Sequence, residues 1–333
     1  MSSLYNVVLT ILFKKKSYYF AILSFIIIFG FIVLVDNNVG IIYGEEYAFL
    51  KTWGSVGTND GQFMLPHSLT TDNDGNVYVT DTGNNRVQKF SPDGVFITKW
   101  GSAGSADGQF SQLHDIAVDP SDDFIYTIEL DNHRIQKFYP NGTFISKFGY
   151  EETGGDGENR SPHQLYVDHF GNIYLTDRRN SEILKFDNNG KFIKKWGTIG
   201  KENGGEFIKP HGIVIDSKNN VYVTDMGNSR IQKFDSNGNF ITMWGSKGIG
   251  ENKFSYSIPG LGIDRSEKIY VVDRKASAIQ KFDNNGNFIT MWGSKGSGEG
   301  EMNKPEDIAI GPNNSIYITD TKNSRIIEFI LKS

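Results

Sequence analysis

Four of the chain's six histidines fall on one phase of an internal repeat: His67, His114, His163 and His211. The other two copies carry Pro259 and Glu306 at that place. Each lies five residues before the residue that ends the copy's first apolar run: Asp72, Asp119, Asp168, Asp216, Asp264 and Gly311. Four imidazoles and a carboxylate brought to one point would suit zinc or another borderline divalent metal. Asp115 and Asp307, each one residue further on, would serve as additional ligands or orient the histidines. An anionic ligand is the other occupant such a set would take. The candidate ligand-binding residues are therefore His67, His114, His163, His211 and Glu306, with the four histidines as candidate metal ligands. A plainer reading stands beside it: Pro-His-x-Leu/Ile is the repeat's own turn signal, copied by internal duplication with no metal attached.

What must position these residues is a unit of about 48 residues, present six times. Its most regular segment reads YVTDTGNNRVQKF from Tyr78, YTIELDNHRIQKF from Tyr126 and YLTDRRNSEILKF from Tyr174. It recurs as YVTDMGNSRIQKF from Tyr222, YVVDRKASAIQKF from Tyr270 and YITDTKNSRIIEF from Tyr317. The tyrosines are 48, 48, 48, 48 and 47 residues apart. Each copy holds four short β-branched and aromatic runs separated by turn residues, and the loops are too short for crossover helices. The runs are thus expected to be antiparallel meanders. A four-stranded sheet of this size cannot cover both its faces, whereas six packed radially can, which predicts an all-β, six-bladed β-propeller. A run of the fourth type, Ala48–Gly54, precedes every run of the first type, and the last copy stops at its third run, Arg325–Leu331. The N-terminal run is therefore expected to complete the sixth sheet and close the ring. In a propeller the first strand is innermost, so the histidine phase should ring the mouth of the central channel.

Most repeated residues have scaffold roles. The acid ending the second run (Asp81, Glu129, Asp177, Asp225, Asp273, Asp320) precedes a tight turn, and an arginine follows five residues later in four copies: Arg86, Arg134, Arg230 and Arg325. A carboxylate there accepts turn N–H groups and pairs with the guanidinium. Glu182 and Ala278 replace the arginine in the third and fifth copies. The aromatics ending the fourth runs (Trp53, Trp100, Phe148, Trp196, Trp244, Trp292) are expected to pack between blades.

The segments P-H-G-I-x-x-D, V-Y-V-T-D-x-x-N-x-R-I-Q-K-F and G-x-F-I-x-x-W-G resemble the NHL repeat over roughly residues 48–331. That resemblance implies a six-bladed propeller. It does not choose a function, because the family includes protein- and RNA-binding propellers, extracellular sensor domains and some lyases. The stretch from Leu65, LPHSLTTDNDGNVYVTD, also resembles the peptidyl-α-hydroxyglycine α-amidating lyases, which hold a catalytic zinc with three histidines on the axis. It implies His67, His163 and either His211 or His114 as zinc ligands. Ligands drawn from alternate blades would need blade five, which offers Pro259, and the lyases' catalytic arginine and tyrosine have no matching motif here. The expectation is a ligand- or protein-binding scaffold in preference to a catalyst, with a metal-dependent lyase as the alternative.

The first forty residues differ in kind. Lys14, Lys15 and Lys16 precede an uncharged apolar run from Tyr18 to Val35, closed by Asp36. At about 1.5 Å per residue, a helix of this length nearly spans a bilayer core. The expected organisation is a cytoplasmic stub and transmembrane signal anchor in 1–43 and the propeller in 44–333. The lysines would be retained in the cytoplasm and the propeller exported, secreted if the segment is cleaved. Without Lys14, Lys15, Lys16 and Asp36 the chain has 31 basic and 38 acidic residues, a net charge of −7, which gives nucleic acid no electrostatic reason to bind. Arg178, Arg179, Arg274 and Lys275, all following second runs, are the best basic candidates on the histidine rim. There is no cysteine, which excludes disulfides, thiolate nucleophiles and Cys-ligated metals. The acidic segment Glu151–Glu158 lacks EF-hand spacing and reads as a surface loop.

Overall fold

Short turns between β-branched runs leave each run no partner but its sequence neighbour, and six four-stranded antiparallel sheets result. The computed structural model describes residues 46–121, 123–149 and 160–332, together with two short strands at 24–28 and 31–35. The lysines at 14–16 and the acidic segment 151–158 lie outside the described residues. The chain divides into two compact units, Met1–Gly44 and Glu45–Ser333.

In the second unit, blade one runs from its inner strand Pro66–Thr71 through Val77–Asp81 and Arg86–Phe90 to its outer strand Phe96–Trp100. Blades two to five repeat that order, with inner strands Leu113–Val118, Pro162–Val167, Pro210–Ile215 and Leu261–Ile263. Blade six supplies Pro305–Ile310, Ile316–Asp320 and Arg325–Leu331. Its outer strand is Tyr47–Trp53, paired antiparallel to Arg325–Leu331 from Tyr47 opposite Leu331 to Trp53 opposite Ile326. The ring thus closes by strand pairing between the two ends of the unit.

Each blade shares its core with its neighbours. The buried apolar side chains fall into six clusters, each built from two adjacent blades: Val214, Tyr222 and Ile231 of blade four pack with Leu261, Val271 and Phe282 of blade five, for instance. The terminal aromatics lie in these interfaces. Trp53, on blade six, packs edge-on against Tyr317 at 5.9 Å and tilted against Phe90 of blade one at 6.1 Å. Its ring covers Gly94 in blade one's outer hairpin, where a Cβ would come within 2.8 Å of the indole and φ is +77°. Glycine is the residue that satisfies both constraints. The strand-one acids are bracketed by their own turns: Asp72 accepts from the Asp74 and Asn76 amides and from Tyr78 Oη at 3.0 Å.

One expectation is not met. The apolar run Tyr18–Val35 was expected to be helical, yet its described residues form two strands, Ser24–Ile28 and Phe31–Val35, paired antiparallel. Phenylalanine, isoleucine and valine favour a pleated strand, and a short apolar run does not by itself distinguish the two states. Among the described residues no helix is long and apolar enough to cross a membrane.

Candidate functional site

The inner strands begin two or three residues earlier than the apolar runs suggest, so the histidines sit on strands and not in turns. His67, His163 and His211 follow the first residue of their strands, and there the pairing register slips: between Pro66 and Leu69, Pro162 and Leu165, Pro210 and Ile213. Such a bulge turns one side chain out of the regular alternation. The amide it frees is taken by the threonine of the second strand. Ser68 N donates to Thr80 Oγ1 at 2.8 Å, Gly212 N to Thr224 Oγ1 at 2.6 Å and Asp307 N to Thr319 Oγ1 at 2.8 Å. This explains the threonine of the Y-V-T-D segment. It was legible in the sequence as a repeat but not as the support of the histidine bulge.

All four histidines come together as a packed arc. Ring centroids are 4.0 Å apart for His67 and His114, 4.5 Å for His114 and His163, and 4.6 Å for His163 and His211. Two of the rings are oriented by the next blade. His114 Nδ1 donates to the His163 carbonyl at 2.9 Å and His211 Nδ1 to the Pro259 carbonyl at 3.0 Å, which fixes both tautomers. Burial pushes His67 and His211 down to about 3 and holds His114 and His163 well below the usual histidine range, with mutual repulsion among the imidazoles adding to it. The arc is therefore neutral at physiological pH.

Glu306 completes the circle at the sixth position. Its carboxylate lies 3.7 Å from His67 Nε2 and forms an ion pair with Arg274 Nε at 2.7 Å. Burial raises it to about 7, and Arg274 works against that rise. Asp115 and Asp307 do not join the ring. They lie beneath it and tie blades together: Leu165 N donates to Asp115 at 2.6 Å, and Ser68 Oγ and Gln164 Nε2 donate to Asp307 at 2.7 and 2.9 Å. Burial pushes Asp307 up to about 6 and Asp115 well above the usual carboxylate range.

The ring floors a cup of about 520 Å³. Its rim includes residues that directly follow the strand-ending acids: Thr82, Arg178, Met226, Arg274 and Thr321. Arg178 Nη1 donates to His163 Nε2 at 3.4 Å and, among the described residues, is paired with no carboxylate. Arg179 is exposed outside the cup, and Lys275 lines a neighbouring pocket. Among the described residues no group of three or more His, Asp or Glu is arranged to hold a metal ion. The rings pack tilted or edge-on against one another, and the circle's one carboxylate, Glu306, is paired with Arg274.

The strand-ending acids behave as expected, with one addition. Asp81 receives Arg86 Nε at 2.7 Å, and Asp225 receives Arg230 Nε at 2.7 Å. In blade three, where Glu182 stands at the arginine's place, Arg160 from the preceding loop delivers the guanidinium to Asp177 at 2.7 Å. Arg160 lies off the repeat's arginine phase, so alignment of the copies does not reveal it.

Two family models match the chain: one described as a 6-bladed beta-propeller, over residues 152–244 and 263–333, and the NHL repeat, over 63–90 and 110–138. NHL repeat-containing protein 3 from Homo sapiens is 39% identical over 69 residues, 19% of this chain and 20% of the relative. Its namesake from Mus musculus is 39% identical over 57 residues, 17% of this chain and 16% of that one. The match thus spans about a fifth of these relatives' length or less. Among solved structures, a streptogramin B lyase superposes with a TM-score of 0.59 at 13% identity, over 87% of this chain and 99% of its own. A gluconolactonase from Xanthomonas campestris gives 0.61 at 14% identity, over 86% and 97%. A structural-genomics protein of unknown function from Bacteroides thetaiotaomicron gives 0.66 at 17%, over 91% and 80%. At these identities the likeness is one of fold. Sequence repeat, blade order and family match agree: the chain is a six-bladed β-propeller built of NHL repeats.

Proposed function

We propose that the propeller is a recognition module, and that the cup at the channel mouth takes the anionic group of a small molecule or of a partner protein. The observation that carries this is Arg178, a guanidinium without a carboxylate partner among the described residues, set over imidazoles that burial keeps neutral. A guanidinium forks onto a carboxylate or phosphate with two parallel hydrogen bonds. The neutral imidazoles, with Thr82 and Thr321, offer polar contacts, and the ring's one carboxylate, Glu306, is paired with Arg274. Arg274 is half-committed to Glu306 and adds a second cation across the rim. No step of catalysis is needed for this role. Titration of acetate and inorganic phosphate into the purified propeller, followed by nuclear magnetic resonance, tests it. Millimolar binding is expected, weakened about tenfold or more in Arg178→Ala and unchanged in Arg179→Ala. Equal affinity in wild type and Arg178→Ala, or no binding by either, refutes the reading.

The module's placement belongs to the same proposal. Lys14–Lys16 followed by the uncharged run Tyr18–Val35 supports a propeller outside the cytoplasm, tethered through its N-terminal segment or released if that segment is cleaved. The net charge of −7 on the exported part argues against nucleic acid as the anion. Protease added to intact cells should digest the propeller's loops. Digestion only after lysis would place it inside.

A further inference from the structure

In four blades the third-strand arginine does more than meet its acid. Arg86 donates through Nε to Asp81, through Nη1 to the Thr58 carbonyl at 2.7 Å, and through Nη2 to the Asn59 and Gln62 carbonyls at 2.8 and 2.9 Å. Asn84 Nδ2 adds a bond to the same carboxylate at 2.8 Å. Arg134, Arg230 and Arg325 repeat the pattern on their own loops. Blade three recovers the guanidinium from Arg160.

Blade five does neither. Ala278 replaces the arginine and Ala276 the asparagine. Asp273 is 2% exposed, and among the described residues no arginine or lysine pairs with it. Among the described residues its carboxylate receives only the Ser255 amide at 2.9 Å, the Ser255 hydroxyl and the Ala276 amide at 3.1 Å.

The loop that would hold the guanidinium has kept its shape. Gly248 N bonds the Phe254 carbonyl at 2.9 Å, Lys253 N the Gly250 carbonyl at 3.1 Å, and Asn252 N bonds Gln280 Oε1 at 3.0 Å. The equivalents in blade one are Gly57 to Phe63 at 3.1 Å, Gln62 to Asn59 at 3.1 Å and Gly61 to Gln88 at 2.9 Å. The carbonyls of Ile249, Gly250 and Lys253 therefore stand where those of Thr58, Asn59 and Gln62 grip Arg86. A pocket of about 440 Å³ adjoins this place, lined by Ile249, Ser255 and Ala276, with Asp273 buried behind the Ser255 hydroxyl that bonds it.

We infer that blade five carries an open guanidinium socket, made by Asp273 and the carbonyls of Ile249, Gly250 and Lys253, that takes an arginine side chain of a partner polypeptide. Ile249 and Tyr256, 85% and 47% exposed, flank the opening and offer apolar contact to the residues around that arginine. Lys247, whose ammonium lies 4.2 Å from the centre of the Tyr256 ring, and Lys275 line the same pocket. They oppose a free cation and favour an arginine that arrives with acidic neighbours. The socket is separate from the cup and does not depend on it.

Thermal unfolding with methylguanidinium chloride, against sodium chloride at equal ionic strength near 0.15 M to screen the lysines, tests the socket. At about ten times its Kd, methylguanidinium should raise the wild-type Tm by roughly 2–3 °C. Ala278→Arg fills the socket internally and should not respond, and Asp273→Asn should not respond either. Arg230→Ala opens the same site in blade four and should gain a response of similar size. A wild type that shifts no more than Asp273→Asn overturns the inference, whatever Arg230→Ala does. The tripeptide Asp-Arg-Glu should bind at least severalfold more tightly than methylguanidinium and lose that gain in Lys247→Ala. Equal binding of the two probes refutes the acidic-neighbour requirement.

Discussion

Blades four and five are nearly copies on the outside and unlike on the inside. Residues 234–248 and 282–296 differ at one place in fifteen, Ser236 against Asn284. Inward, the differences come together. Blade four has His211, Thr224, Asn228 and Arg230 where blade five has Pro259, Val272, Ala276 and Ala278. These changes belong to two linked devices. Without the threonine hydroxyl there is no acceptor for a bulge amide; blade five shows no bulge, and its inner strand shortens from six residues to three. Without asparagine and arginine, the acid at the strand end loses its side-chain N–H donors. The outer strands need only to pair and to offer an aromatic to the next blade, so duplication preserves them. The inner ends meet the channel and its mouth, where each blade faces different neighbours and can specialise.

The largest expected effect comes from making blade four resemble blade five at one residue. Arg230→Ala leaves Asp225 fully buried, already pushed up by its burial, and strips the guanidinium from the carbonyls of Lys201, Asn203 and Glu206. Removing one partner of a buried ion pair costs about 3–5 kcal/mol. Urea unfolding should show that loss, while Ala278→Arg in blade five should stabilise the ring. A loss below about 1 kcal/mol in Arg230→Ala would mean that the loop is held by its backbone bonds alone and that the two blades differ only in side chains.

Much of this contrast was legible beforehand. A period of 48 residues with four β-branched runs leaves little choice of fold, and the early fourth-type run at Ala48–Gly54 foretold the closing strand. The shared phase of His67, His114, His163 and His211 foretold their convergence. What the phase did not carry was their orientation. How four imidazoles meet depends on the bulge and on the carbonyls that take the Nδ1 of His114 and His211, and neither is a property of spacing. Asp115 and Asp307 sit beside the ring in sequence but beneath it in space, because adjacent strand residues point to opposite sides. Arg160 was invisible because its role is a position in space, reached from a loop off the repeat's arginine phase. The N-terminal run misled for a simpler reason: isoleucine, phenylalanine and valine suit a membrane helix and a strand alike.

A smaller effect separates blade four's histidine from blade six's carboxylate at the same ring position. His211, 7% exposed, is pushed down to about 3, while an unfolded histidine titrates near 6.5. Between those values the unfolded chain binds a proton that the folded chain refuses, so stability is lost as pH falls below about 6.5. Glu306 acts with the opposite sign. Burial raises it to about 7, so the folded chain holds a proton that the unfolded chain releases above about 4.5, and stability is gained as pH falls through that window. The two partly cancel between pH 6.5 and 4.5, together with the other imidazoles and the raised Asp115 and Asp307. His211→Gln should therefore flatten the acid-side loss of stability by up to about 1.4 kcal/mol per pH unit, and Glu306→Gln should steepen it by a similar amount. Urea midpoints measured at half-unit steps across the window read both slopes. Parallel profiles for wild type and His211→Gln would show that the folded ring accepts the proton, and that the arc of imidazoles is not the neutral floor its burial implies.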